Sequence, residues 1–402
     1  MQIKKITLRK ILDSRGLDTV EASVFDNKGN FATASSPSGT SRSVYEAAPF
    51  PKGNVELGIA NFKKNENKII GADPGDQGAV DALLHEIDAT DNFAFIGGNT
   101  ATAISIANAK LAAAECGCEL YQYVYNIVKR FGIKKRMPRL LGNVIGGGVH
   151  SNNGMSIQEV LVASDTGSVY GNAVSNISIY REIGEYLKKR GLAIGTNIEN
   201  AWSSRLGDEE SIALVKRIAS NKRKRVLVGI DVAASELYDG KYRFENRRMG
   251  REAFIRKMES IFNKYKLGYI EDPLESADFL GFALITKNFS RSALVVGDDL
   301  YATNSRRLMK GIRLKSTNAL LIKVNQAGTL TDTIETVREA HRNNIKIVVS
   351  HRSGETNDIF ISHLSVAFGA ELMKCGVTGG ERIAKINELA RIEAIELSNR
   401  NK

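Results

Sequence analysis

Three cysteines in 402 residues, Cys116, Cys118 and Cys375, are an odd number without metal-ligand spacing. They exclude a disulfide framework and a zinc centre, and reduced structural thiols are expected. No apolar run approaches the roughly 20 residues of a membrane helix. Hydrophobic residues at 43% and charged residues at 25% are globular values, which excludes membrane and disordered classes. Met1 to Lys10 scatters Lys and Arg through an alternating pattern and lacks a secretory signal, so a cytoplasmic location is expected. Acidic residues are outnumbered, 45 against 56 Lys plus Arg, for a formal charge of +11. The surplus is diffuse. Its densest clusters, Lys129 to Arg139 and Lys222 to Arg225, have neither interleaved aromatics nor a reader motif, so a nucleic-acid partner is not expected. Such a field suits an anionic substrate.

The length allows one large barrel, or a small domain with a large one. From Ile3 to Ser36 the pattern alternates, with Val20, Ala22 and Val24 on one face and a turn at Asp26-Asn27-Lys28-Gly29. This predicts antiparallel strands. Helical patterns follow at Gln77 to Ile87 and, after Gly97-Gly98-Asn99-Thr100, in an Ala-rich run from Ala101 to Glu115. Together these make an N-terminal α+β domain, residues 1–125. A basic linker, Lys129 to Pro138, leads to short apolar runs separated by helical stretches, a barrel texture over residues 137–402.

Five of those runs end in, or carry, a polar residue. Val226 to Asp231, Leu267 to Glu271 and Leu294 to Asp298 end in carboxylates, Ala319 to Lys323 in an amine, and Ile345 to His351 in an imidazole. Successive runs lie about 25 to 40 residues apart, the βα period of a parallel barrel, whose C-terminal strand ends carry the active site. One carboxylate after an apolar run is more often a helix cap. Three in succession, followed by Lys and His, point to a site. Two Asp and one Glu converging in a dry cleft call for a divalent cation, and all-oxygen ligands suit Mg²⁺.

In this order the residues resemble the enolase family over nearly the whole chain. Ile11-Leu-Asp-Ser-Arg-Gly16 with Thr19-Val-Glu21 resembles the family's opening motif, and Pro37 to Ser41 with Tyr45-Glu-Ala47 its first loop. Gly147 to His150, Gln158-Glu159, Ile270 to Pro273, Gly297 to Leu300, Leu321 to Gln326 and Ser350 to Thr356 follow, the last three being the most specific. Ala384-Lys385 and Arg391-Ile-Glu393 match the closing segment. The resemblance implies an α/β fold in which an N-terminal α+β lid domain precedes an enolase-type (βα) barrel whose first strands are not all parallel.

It also implies roles. Asp231, Glu271 and Asp298 would be the Mg²⁺ ligands, Lys323 the general base, and Glu199 the general acid supported by Glu159. Gln158, Arg352, Ser353 and Lys385 would hold the phosphate and carboxylate of the substrate, with His351 alongside. Ser41 and His150 would close over the ligand, Ser41 helping to bind a second Mg²⁺, so that two are expected per site with substrate bound. The implied reaction is dehydration of 2-phosphoglycerate to phosphoenolpyruvate, and the implied assembly a homodimer or a larger assembly of dimers. Proton removal beside a carboxylate needs concentrated positive charge and a neutral base. Lys323, beside Mg²⁺ and with Lys385 nearby, is expected to have its pKa lowered by like charge. The pair Glu159 and Glu199 would keep one carboxyl protonated.

The chain departs from the family pattern at Leu17-Asp18, at Arg42-Ser43, at Asn197-Ile-Glu199-Asn200, and at Val377 to Gly380. These leave a catalytically weak relative with a binding or scaffold role as the alternative, and Glu209 or Glu210 as substitutes for Glu199. Cys116, Cys118 and Trp202 read as packing residues, and His85, His341 and His363 as structural or exposed.

Overall fold

A computed structural model describes residues 1–40, 43–148 and 155–400. The alternating start folds as an antiparallel sheet of β1 (Ile3–Leu12), β2 (Asp18–Asp26) and β3 (Phe31–Ser35). Period-2 alternation puts Val20, Ala22 and Val24 on the buried face, toward the helix Gly98–Glu115. That helix is buried almost all round, and its alanines allow the close approach. The Asp26 carboxylate closes the β2–β3 turn by accepting the N–H groups of Lys28 and Asn30 at 2.7 and 2.8 Å. The helix expected from Gln77 to Ile87 runs Gln77–Asp88.

Beyond the linker come β4 (Arg139–Gly146), β5 (Glu159–Asp165), β6 (Ala193–Thr196), β7 (Trp202–Ser204) and β8 (Arg225–Asp231). The hairpin β9 (Tyr242–Phe244) and β10 (Arg247–Met249) precedes β11 (Tyr269–Glu271), β12 (Leu294–Gly297), β13 (Ala319–Ile322), β14 (Lys346–Ser350) and β15 (Leu372–Lys374). Strands β4, β5, β8 and β11 to β15 close into a barrel, since β15 pairs with both β14 and β4. Only β5 runs antiparallel to its neighbours in that ring, and β6 and β7 extend the sheet outside it. Leu141, Leu161, Tyr269, Val296, Leu321 and Val348 fill the interior as one cluster, while the alternate residues face the helices.

The α+β unit is tied to the C-terminal mouth of the barrel. Ser38 and Gly354 exchange backbone hydrogen bonds at 2.8 and 2.9 Å, and Lys110 pairs with Asp358 at 2.8 Å. The packing expected of Cys116 is not found. It caps the end of the long helix just before Gly117, which adopts φ 60°, and is exposed; Cys118 is half-buried and Cys375 buried. Trp202 does pack, stacked on Tyr180 and donating Nε1–H to the Tyr180 carbonyl at 2.9 Å.

Candidate active site

Strand parity carries the site. Leu227, Tyr269, Leu294 with Val296, Ala319 with Leu321, Val348 and Leu372 point into the barrel. Two residues on from the last inward residue of β11, β12, β13 and β15 stand Glu271, Asp298, Lys323 and Lys374, and four on from Leu227 stands Asp231. Period-2 alternation therefore turns each of them toward the mouth. Glu159 enters from the reversed strand β5, in register with Asp231. One cavity is lined by Gln158, Glu159, Glu199, Asp231, Asp298, Lys323, His351, Arg352, Ser353 and Lys374, with Gly39 and Thr40 from the α+β unit over it.

Two ammonium groups stand among these carboxylates. Lys374 Nζ lies 2.9 Å from Asp231, 2.8 Å from Glu271 and 3.4 Å from Glu159, and Lys323 Nζ pairs with Asp298. Burial pushes the Glu271 carboxyl up to about 8, helped by Asp231 against the pull of Lys374. Burial likewise holds Glu159 well above the carboxylate range, Glu199 and Asp231 adding to the effect against Lys374. For Asp298 burial acts upward, but the Lys323 ammonium prevails and lowers it. For Lys323 burial works against the ammonium, but Asp298, with Glu271, acts the other way and the lysine of the metal-free chain sits above its ordinary value.

Glu199 reaches the cavity through a side-chain clasp. Asn197 Oδ1 accepts the N–H groups of Glu199 and Ala201 at 3.0 and 2.9 Å, and Asn200 takes φ 61°. The turn aims the Glu199 carboxylate at Asn143 Nδ2, 3.1 Å away, and at His351 Nε2, 3.6 Å away. Burial, opposed by Glu199 and aided by Arg382, Lys374 and Lys385, pushes His351 well below its ordinary pKa. The substitutes lie elsewhere: Glu209 pairs with Lys257 and Lys264, and Glu210 caps the Gly207 N–H at 3.0 Å.

Arg352 donates to Asn325 Oδ1 at 2.8 Å and to Glu46 at 3.3 Å, while Ser353 Oγ meets the N–H and hydroxyl of Thr40 at 2.9 and 2.7 Å. Lys385 is not brought into the cavity. Its ammonium is buried on Glu355 at 2.8 Å and on the carbonyls of Thr356 and Glu381, beneath the loop that presents Arg352. Lys374 occupies the cavity instead. Ser41 and His150 lie outside the described residues.

Sequence reasoning also passed over Arg382, Asp272 and Asp299. Fully buried Arg382 donates to the Ser353 carbonyl at 3.2 Å and to the Ile198 carbonyl at 3.5 Å, joining the Glu199 turn to the substrate-side loop. Asp272, at φ 38°, accepts the N–H groups of Asp298 and Asp299 at 3.0 and 2.7 Å. Asp272, Asp298 and Asp299 offer oxygens within 4.8 Å of one another, but Asp272 is thereby committed to the loop. Asp231, Glu271 and Asp298 end three adjacent strands, and this hard-oxygen set fits a divalent cation. The orphaned Gln158 Oε1 faces the same cavity.

A closed barrel with a reversed second strand, roofed by an α+β unit, is the enolase type of barrel fold. The family models described as "Enolase, N-terminal domain" and "Enolase, C-terminal TIM barrel domain" match residues 3–124 and 134–402. The enolase of Picrophilus torridus is 46% identical over 400 residues, covering 98% of each chain. Those of Thermoplasma acidophilum and Methanocorpusculum labreanum are 45% and 43% identical over 401 and 402 residues, covering 98% of this chain and 98% and 99% of theirs. The chain belongs to the enolase family.

Proposed function

We propose that this protein is a phosphopyruvate hydratase, a hydro-lyase that reversibly dehydrates 2-phosphoglycerate to phosphoenolpyruvate. The observation that carries the reading is a single cavity lined by the Lys323 amine on one strand end, the Glu199 carboxyl on a separate turn, and Asp231 and Asp298, with Glu271 ending the strand between those two. Lys323 takes the proton at carbon 2. Glu199, beside Glu159, gives a proton to the hydroxyl leaving carbon 3. Arg352, Ser353 and Gln158 hold the phosphate and carboxylate, His351 sits beside Glu199, and Lys374 takes the role expected of Lys385 by placing its ammonium where carboxylate charge builds up.

Asp231, Glu271 and Asp298 would hold Mg²⁺, which supplies concentrated positive charge for the enolate-like dianion. A second Mg²⁺, held with help from Ser41, belongs to the substrate-bound form. With Asp298 committed to a cation, Lys323 would lose its ion-pair partner and could act as the neutral amine that takes the proton. The division into residues 1–125 and 137–402 makes the α+β unit a lid. Among the described residues no helix is long and apolar enough to cross a membrane. The enzyme is proposed to be cytoplasmic and to assemble as a homodimer or a larger assembly of dimers. The scaffold alternative calls for a missing reacting group, whereas base, acid and metal-type acids share one cavity. Absorbance of the enol phosphate should rise when purified protein meets 2-phosphoglycerate and Mg²⁺, stop in excess EDTA, and return with Mg²⁺. Unchanged turnover in chelator would end the metal assignment.

A further inference from the structure

At the opposite end of the barrel lies a second recess of about 530 Å³, within the range of small-molecule sites. It opens where β8 begins. Arg225 lies in it, and the seven residues of β8 to Asp231 separate it from the active site by about 20 Å. Its charged lining is Arg136, Arg139, Lys216, Arg225 and Lys266 against Asp165. Arg136 is answered by Glu371 at 2.5 Å, and Arg139 by Asp165 at 3.7 Å.

The other three cations are not answered. Among the described residues Lys216, Arg225 and Lys266 make no ion pair, and Lys216 Nζ has only the Lys266 carbonyl at 3.5 Å. Lys257 and Lys264, nearby in sequence to Lys266, share Glu209, so this surface does supply carboxylates elsewhere. Lys216 is half-buried, and burial together with the Lys266 charge depresses its pKa. Like charges gathered around a concavity lower their mutual repulsion when an anion enters. The recess continues into a second basin that shares Lys216 and Arg225 and adds Arg223 and Lys224. Cations spread along a trough match a chain of linked phosphates better than a single one. Neither basin is lined by an aromatic ring, which removes the stacking that single-stranded nucleic acid uses.

We propose that this trough is a second anion site, separate from catalysis, that binds a chain of linked phosphates, as in inorganic polyphosphate or a nucleoside triphosphate, through Lys216, Arg225 and Lys266. The test is site-specific acylation of the full-length protein in excess Mg²⁺ with a limiting amine-reactive reagent, Lys216 being read by mass spectrometry. Its depressed pKa makes it reactive. With inorganic tripolyphosphate at ten times its dissociation constant, Lys216 labelling should fall about tenfold, the unoccupied fraction being roughly one in eleven. An Arg225→Gln/Lys266→Gln variant should lose that protection while turning over 2-phosphoglycerate at the wild-type rate, which shows that it is folded. Equal protection by ATP assigns the phosphate chain of nucleotides to the site, and protection by tripolyphosphate alone assigns free polyphosphate. Lys216 labelling unchanged by both probes, protection that survives in the variant, or protection by single-stranded RNA alone would each overturn the proposal.

Discussion

Replacing Lys374 by Met keeps an unbranched chain of similar length and removes the charge that Asp231, Glu271 and Glu159 share at 2.9, 2.8 and 3.4 Å. At an effective dielectric near 20, a contact of about 2.9 Å has a gross Coulomb energy of about 6 kcal/mol. Most of that offsets the desolvation of the ammonium, and removing one partner of a buried pair costs about 3–5 kcal/mol net. The metal-free Lys374→Met protein should lose stability on that scale, and Mg²⁺, by answering the same carboxylates, should restore part of it. In catalysis the lost charge stood where the dianion forms, so kcat/KM with saturating Mg²⁺ should fall about 10²–10³-fold. Lys385→Met is the control, because its ammonium holds Glu355 and two carbonyls beneath the Arg352 loop. It should lower the unfolding midpoint in denaturant while leaving much more of the turnover of the folded protein. The assays are steady-state absorbance of the enol phosphate and denaturant unfolding with and without Mg²⁺. If Lys374→Met keeps its turnover while Lys385→Met loses it, the assignment of the two lysines is reversed and the reasoning fails.

Metal binding should be linked to protons. Glu271, at about 8 in the folded metal-free chain, holds a proton that the unfolded chain, with its carboxyl near 4.5, has lost. Its contribution therefore makes the metal-free fold less stable as pH climbs from about 4.5 to 8. Mg²⁺ must displace that proton, so its affinity, measured by calorimetry in buffers of different ionisation heat, should rise by up to about tenfold per pH unit toward 8, with proton release; affinity independent of pH over this window contradicts it. Glu46→Gln takes the charge from the carboxylate that meets Arg352 at 3.3 Å. A loosened guanidinium should raise KM for 2-phosphoglycerate by about five- to thirtyfold, or about 1–2 kcal/mol of binding, with a smaller change in kcat; an unaltered KM would show that Asn325 orients Arg352 alone.

The fold was readable where one physical rule acted alone. The alternation around Val20, Ala22 and Val24 marks a sheet with one buried face, and the runs ending in Asp231, Glu271, Asp298, Lys323 and His351 mark strand ends of a barrel. The same rule describes Leu372-Met-Lys374, but a three-residue strand is too short to stand out from its surroundings. Lys385 took its place because the closing segment does not reveal that a helix starts at Gly380 and buries that lysine beneath the Arg352 loop. The Asn197 clasp that aims Glu199 is an asparagine turn motif visible in sequence. Arg382 and Asp272 could not be read. Their work is to hold backbone groups of distant segments, and which segments meet is decided by the closed barrel.

The measurement closest to the central claim separates the two proton transfers. Incorporation of solvent deuterium at carbon 2 of 2-phosphoglycerate is followed by NMR, beside enol phosphate formation, in Lys323→Ala and Glu199→Gln with Mg²⁺ present. Lys323→Ala should lose both exchange and product. Glu199→Gln keeps the shape of the side chain but cannot donate the proton, so product formation should fall by about 10²–10⁴ while carbon 2 exchange survives. Exchange that persists without Lys323, or wild-type product formation by Glu199→Gln, would contradict the account.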